Sequence, residues 1–163
     1  MGRLPEEFAG KEITFRIPYS MPGEMQLEAD SQGVQFPEAT FLHNVEKCFE
    51  IHRMIPRLTA LDDATPPVIL AAQPTILDKL VRLRITDTSK NEVLTKNAQL
   101  IDSLVKDNER TWEWDDPYTL VRSEGFQVAV DTEAGYPDGT ELIRVEITFQ
   151  GYLIVIGAPG EDR

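Results

Sequence analysis

The chain has a single cysteine, Cys48, in 163 residues, so no disulfide can close within it. A reducing cytoplasm, or an assembly made there, is the expected compartment. Basic residues are few: 16 Lys and Arg stand against 28 Asp and Glu, for a net charge of −12. Such a chain lacks the basic surface that displaces counterions from nucleic acid, so no nucleic-acid partner is expected. Anionic lipid repels it for the same reason. The longest apolar run, Tyr152 to Ala158, falls far short of the roughly 20 residues that cross a bilayer, so no membrane partner is expected either. Met1-Gly2-Arg3-Leu4-Pro5-Glu6-Glu7 carries no apolar h-region, and Glu6 stands where myristoylation needs Ser or Thr. Also missing are a Gly-x-Gly-x-x-Gly or P-loop, a Gly-x-Ser-x-Gly elbow and a His-Glu-x-x-His pair. Without any strong catalytic signature, the expectation is a protein that is not an enzyme and takes no cofactor.

What is present suits a globular domain. Apolar residues make up 41% and charged residues 27%, which excludes global disorder. This length supports one domain, which buries roughly 70% of its unfolded surface. Residues 1–10 read as an N-terminal arm with one large anchor, Phe8; residues 11–158 read as the domain and 159–163 as a polar tail.

Alternation of apolar and polar residues marks strands. Ile13, Phe15 and Ile17 form the first, which Pro18 is expected to stop; Met21-Pro22-Gly23 then reads as a turn, and Met25 and Leu27 as a second short strand. Asp30-Ser31-Gln32-Gly33 is a turn cluster. Residues 40–55 predict one longer extended segment with a bulge near Arg53 and Met54. Residues 59–78, rich in Pro, Asp and Thr, predict a long loop in which Val68-Ile69-Leu70 is pinned to the body. Val81, Leu83 and Ile85 form a strand that turns at 87–91 into Val93-Leu94-Thr95. Residues 97–106 predict a short helix capped by Asn97, or an irregular edge. Trp112, Trp114 and Tyr118 surround Pro117, and Phe126, Val128 and Val130 alternate. After the loop Gly135-Tyr136-Pro137-Asp138-Gly139, Ile143 to Phe149 alternate, Gly151 marks a bend or bulge, and Tyr152 to Ile156 close the domain. About eight strands with at most one short helix predict an all-β fold, an antiparallel β-sandwich of jelly-roll type.

Each candidate site has a plainer reading beside it. His43, Cys48 and His52 fall within ten positions. In an extended segment Cys48 and His52 share a face but lie roughly 13 Å apart at ~3.3 Å per residue. Zinc needs ligand atoms about 2.0–2.3 Å from the metal, usually four of them. Neither a metal nor a Cys–His nucleophile fits; the plain reading is two semi-exposed histidines and a structural cysteine. Asp62-Asp63 and Asp115-Asp116 could meet as a carboxylate pair for glycoside hydrolysis, but doublets arise readily among 28 acids. Asp131-Thr132-Glu133 and Asp138-Gly139-Thr140-Glu141 lack calcium-loop spacing and read as solvated turns. Trp112 and Trp114, at i and i+2, either stack on sugar rings, anchor a protein contact or cover one end of the core.

Three stretches carry a resemblance. Phe41-Leu42-His43-Asn44-Val45-Glu46-Lys47-Cys48-Phe49-Glu50-Ile51-His52-Arg53 resembles an "N-x-x-K-x-F-x-I" strand of tailed-phage virion proteins, with Cys48 where that pattern has Pro. Trp112 to Leu120 followed by Glu124-Gly125-Phe126-Gln127-Val128 resembles their "W-x-x-P-x-x-L … G-x-x-x-V" passage, and Val145 to Tyr152 their terminal "F-x-G-Y" strand. The resemblance, over most of residues 40–156, implies a jelly-roll cement or decoration protein on the capsid exterior. It would be made in the host cytoplasm, bind the major capsid protein and stabilise the expanded shell. It would assemble as a homo-oligomer, a dimer or trimer, around a symmetry axis. Its contact candidates are Phe8, Val68, Ile69, Leu70, Trp112 and Trp114. The alternative is a carbohydrate-binding β-sandwich using Trp112 and Trp114; a hydrolase built on loop carboxylates is a third reading.

Overall fold

The computed structural model describes residues 12–28, 38–95, 98–105, 111–132 and 135–157. Phe8 and the arm, the turn at 30–33, Asn97, Glu133 and the polar tail lie outside the described residues. The chain is an all-β sandwich of two antiparallel sheets. Its strands are β1 (Glu12–Glu28), β2 (Glu38–Leu42), β3 (Cys48–Leu61), β4 (Val81–Asp87), β5 (Glu92–Val93), β6 (Gln99–Leu100), β7 (Trp112–Leu120), β8 (Gly125–Thr132) and β9 (Leu142–Gly157). Among the described residues a 3-10 turn (Leu77–Lys79) and a helical turn, α1 (Ile101–Leu104), interrupt them.

One sheet runs β1-β9-β3-β7 and the other β2-β8-β4-β5, with β6 also paired to β4. The first long strand pairs with the last, β2 with β8, β3 with β7 and β4 with β5. Two further ladders, β3 with β9 and β4 with β8, stitch these four pairs into two layers. Inward residues alternate with solvent-facing ones along β4, the second half of β1 and the first half of β9, as a sandwich requires. Phe149 of β9 sits at the centre: its ring lies 5.0 Å from Phe41 and 4.8 Å from Phe126, both on the opposite sheet. Such aromatic pairs add about 0.5–1.5 kcal/mol beyond the area they bury. Ile51, Met54, Leu83, Ile85, Val128 and Ile147 complete a core with no exposed surface.

Several boundaries differ from the sequence reading, each for a physical reason. Pro18 does not stop the first strand, and Met21-Pro22-Gly23 is not a turn; β1 runs unbroken through both prolines. Among the described residues β1 pairs only with β9, so it is an edge, where a missing N–H can face the free side. Gly23 serves packing: a Cβ there would meet the Phe41 ring at 2.5 Å. Residues 40–55 are not one strand, because the chain crosses between sheets at 43–47. The bulge in this region is real and falls between Ile51 and Arg53. β3 then extends to Leu61 through Pro56, beyond Met54, where β7 begins with Trp112, so the long loop begins at Asp62 rather than at residue 59. Gly151 does not break β9, which is one strand of 16 residues; the bulge lies in the facing strand β3. At 99–104 both expectations hold in part, a two-residue strand then a helical turn whose N-cap is Leu100.

Candidate interaction surfaces

The loop after β3 is built to hold its shape. Asp62 donates its N–H to the Val68 carbonyl at 3.0 Å, Leu70 donates to the Ala60 carbonyl at 3.1 Å, and Leu61 bridges to Ile69. The Asp62 carboxylate accepts from the Ala64 and Val68 amides at 3.0 and 2.8 Å. The Gln73 side chain acts as a surrogate strand: its Oε1 accepts from Ala60 N–H, and its Nε2 donates to the Ala60 and Leu70 carbonyls. The segment Val68-Ile69-Leu70 is therefore pinned to the end of β3, as its sequence suggested. Leu70 packs against the core, while Val68 and Ile69 remain 55% exposed and Ile76 47% exposed. Aliphatic side chains displayed on a hydrogen-bonded loop carry little ordering cost on contact with a partner.

Trp112 and Trp114 stack on one another at 4.5 Å, and Trp114 lies 6.2 Å from Phe149. Both are half-buried against the core. Both rings thus rest on the core rather than standing free, and Trp114 also reaches the lining of the groove described below.

The other candidates separate. His43 is fully buried, not semi-exposed: its ring packs on Tyr19 and Phe49, and its Nε2 donates to the Lys47 carbonyl at 2.6 Å. His52 sits half-buried on the outer sheet face, its Nε2 2.8 Å from Glu50 Oε1. Among the described residues no three His, Cys, Asp or Glu side chains converge as a metal site would require. Asp62 spends its carboxylate on its own loop. Asp115 and Asp116 lie on the stretch of β7 that bulges opposite His52. Ten residues of extended chain between positions 52 and 62, at ~3.3 Å each, keep the two doublets roughly 30 Å apart. Asp131 is not in a solvated turn but on β8, where Arg82 clasps it with two bonds of 2.9 and 2.8 Å.

Two features escaped sequence reasoning. The first is Asp87, fully buried at the end of β4. It accepts from the Ser89 amide and hydroxyl, the Lys90 amide and the Tyr118 hydroxyl of the opposite sheet. Burial pushes this carboxyl up, but the hydrogen bonds from Ser89, Tyr118 and Lys90 outweigh it and leave the group below its ordinary value. Burial, then the bond and charge of Asp87, hold Tyr118 far above the usual phenol range.

The second is a groove of about 630 Å3 across the outer face of the β1-β9-β3-β7 sheet. Ser20, His52, Arg53, Glu113, Gln150 and Tyr152 line it, so all four strands contribute. Its cause is local. β3 inserts His52 between the pairs Ile51–Gly151 and Arg53–Gln150, while β7 spans the same gap with residues 114–117. Bulged strands bend and re-aim their side chains. Within the groove Arg53 Nε donates to Gln150 Oε1 at 2.9 Å, and the His52 ring meets Tyr152 edge-on at 5.4 Å. Outward parity on β9 marks Gln150 and Tyr152 in the sequence, but nothing there marks the bulge of β7.

No protein-family model, curated protein or solved structure matches this chain.

Proposed function

We propose that this chain is a non-enzymatic structural protein of a phage virion, a cement or decoration protein that binds the capsid exterior and stabilises the expanded shell. The observation that carries this reading is the pinned loop 62–76, which offers Val68, Ile69 and Ile76 to solvent on a hydrogen-bonded frame. Exposed aliphatics grouped on one hydrogen-bonded loop are a common mark of a protein contact. The strand order adds support. Pairing first with last, second with second-last and so inward, across two layers, supports the jelly-roll reading, an architecture found in viral capsid domains. The resemblance at 41–53, 112–128 and 145–152 points the same way.

The partner in this reading is the major capsid protein, with a homo-oligomer, a dimer or trimer, around a symmetry axis. β1 supplies a place for self-association: it is a 17-residue edge carrying Phe15 at 53% and Ile17 at 37% exposure, and an edge of that kind invites a second strand. Net charge −12 keeps such a protein soluble and off the packaged nucleic acid. Co-sedimentation of the purified chain with shells from a lysate of its natural source tests the proposal. Saturable retention at fixed stoichiometry to one coat protein supports it; a chain left wholly in the supernatant contradicts it.

A further inference from the structure

We infer that the groove across the outer face of the β1-β9-β3-β7 sheet is a binding site for a neutral oligosaccharide. Its volume, about 630 Å3, falls within the roughly 300–1,000 Å3 of small-molecule sites and admits about two or three pyranose rings. The groove crosses the strands instead of following an edge, so an extended peptide cannot add to the sheet there. Its lining offers both halves of what a polyhydroxy ligand requires. Tyr152, 38% exposed, presents an aromatic surface of the kind on which the C–H face of a sugar packs, and the His52 ring against it limits its rotation. Around Tyr152 stand donors and acceptors in alternation: Arg53, Gln150, Glu113, His52 and Ser20.

Charge decides the class of sugar. Arg53 faces Glu113 across paired strands, and just beside the groove Arg16 Nε and His52 Nε2 both reach Glu50 Oε1, at 3.3 and 2.8 Å. Opposite charges so interleaved leave no net field to attract an anion, so sialylated or sulfated chains gain no electrostatic advantage here. A neutral ligand with hydroxyls that both donate and accept fits this alternation. The arginine is also held for the task, since the bond from its Nε to Gln150 fixes the plane of the guanidinium. The site lies on the sheet face, apart from the 62–76 loop, so it goes beyond capsid docking and stands or falls independently of it.

The test probes the full chain on an array of neutral, sialylated and sulfated glycans, then titrates the strongest neutral hit by calorimetry. Wild-type chain is expected to bind a neutral glycan. Tyr152→Ala and Arg53→Ala should each weaken it at least tenfold with an unchanged thermal midpoint, since both side chains are at the surface. Val93→Ala, on β5 of the opposite sheet, should leave it unaltered. Retention by capsid shells should be the same for Tyr152→Ala as for wild type, which separates this inference from the capsid reading. Absence of any neutral hit, binding confined to acidic glycans, or affinity indifferent to both groove variants would overturn it.

Discussion

At the scale of single residues, Asp87 is the most consequential polar group in the sandwich. It ends β4, organises the turn through three bonds from Ser89 and Lys90, and takes a fourth from Tyr118 on the other sheet. Tyr118→Phe should cost about 1.5–3 kcal/mol, the range for a hydrogen bond to a charged group. Equilibrium urea denaturation would read this as a lower midpoint at unchanged slope; an unshifted midpoint would show that the two sheets do not depend on the clasp. The same group sets a pH dependence. Its folded value lies below the ordinary 3.8, so its contribution is complete above that value and disappears as pH falls through the folded one. Tyr118 is raised above 10.0, so its contribution is complete below that value and declines as pH rises past it. Stability measured against pH should therefore fall off at both extremes, and the alkaline limb should be shallower in Tyr118→Phe.

Glycines give a second comparison at this scale. A Cβ on Gly151 would lie 1.8 Å from the Glu50 carbonyl oxygen, a backbone atom that moves only if β3 and β9 part. A Cβ on Gly23 would lie 2.5 Å from the Phe41 ring, which can tilt. Gly23→Ala should cost about 1–3 kcal/mol by overpacking. Gly151→Ala should cost more, and chemical denaturation of the pair would fail this expectation if the two variants lost equal stability.

Among the elements, the 62–76 loop shows how irregular chain can be held without secondary structure. Its frame rests on two side chains, Asp62 and Gln73, that stand in for backbone partners. Replacing both by Ala should expose the loop to limited proteolysis, with cleavage mapped by mass spectrometry between residues 62 and 76. The global unfolding midpoint should shift little, because the core lies elsewhere. Equal resistance of the double variant would show that the frame is not what orders the loop. The elements also show what was legible in the sequence. Strict alternation at Val81 to Ile85, Phe126 to Val130 and Ile143 to Phe149 is the direct print of a half-buried strand, and all three lie in strands. The prolines of β1 misled because their effect depends on whether the strand has one neighbour or two, which is a tertiary fact. His43 misled in the same way: its burial comes in part from Tyr19, 24 positions earlier on β1. The groove was illegible because it arises from a mismatch in length between β3 and β7, visible only once their register is known.

For the whole molecule, two surfaces differ in chemical character. One end carries the rigid aliphatic loop, and the outer surface of one sheet carries the polar groove, with the core between them closed by Phe41, Phe126 and Phe149. Such a division fits the proposed docking through the loop, with the grooved sheet face left accessible to a second ligand. The decisive measurement compares binding isotherms of wild-type chain and a Val68→Asp, Ile69→Asp double variant on purified shells, expanded and unexpanded. Saturable binding of wild type to expanded shells, at least tenfold weaker for the folded double variant and weak for both on unexpanded shells, is the expected result. Identical isotherms for the two proteins on expanded shells, or no saturable binding of wild type, would contradict a docking role for this loop.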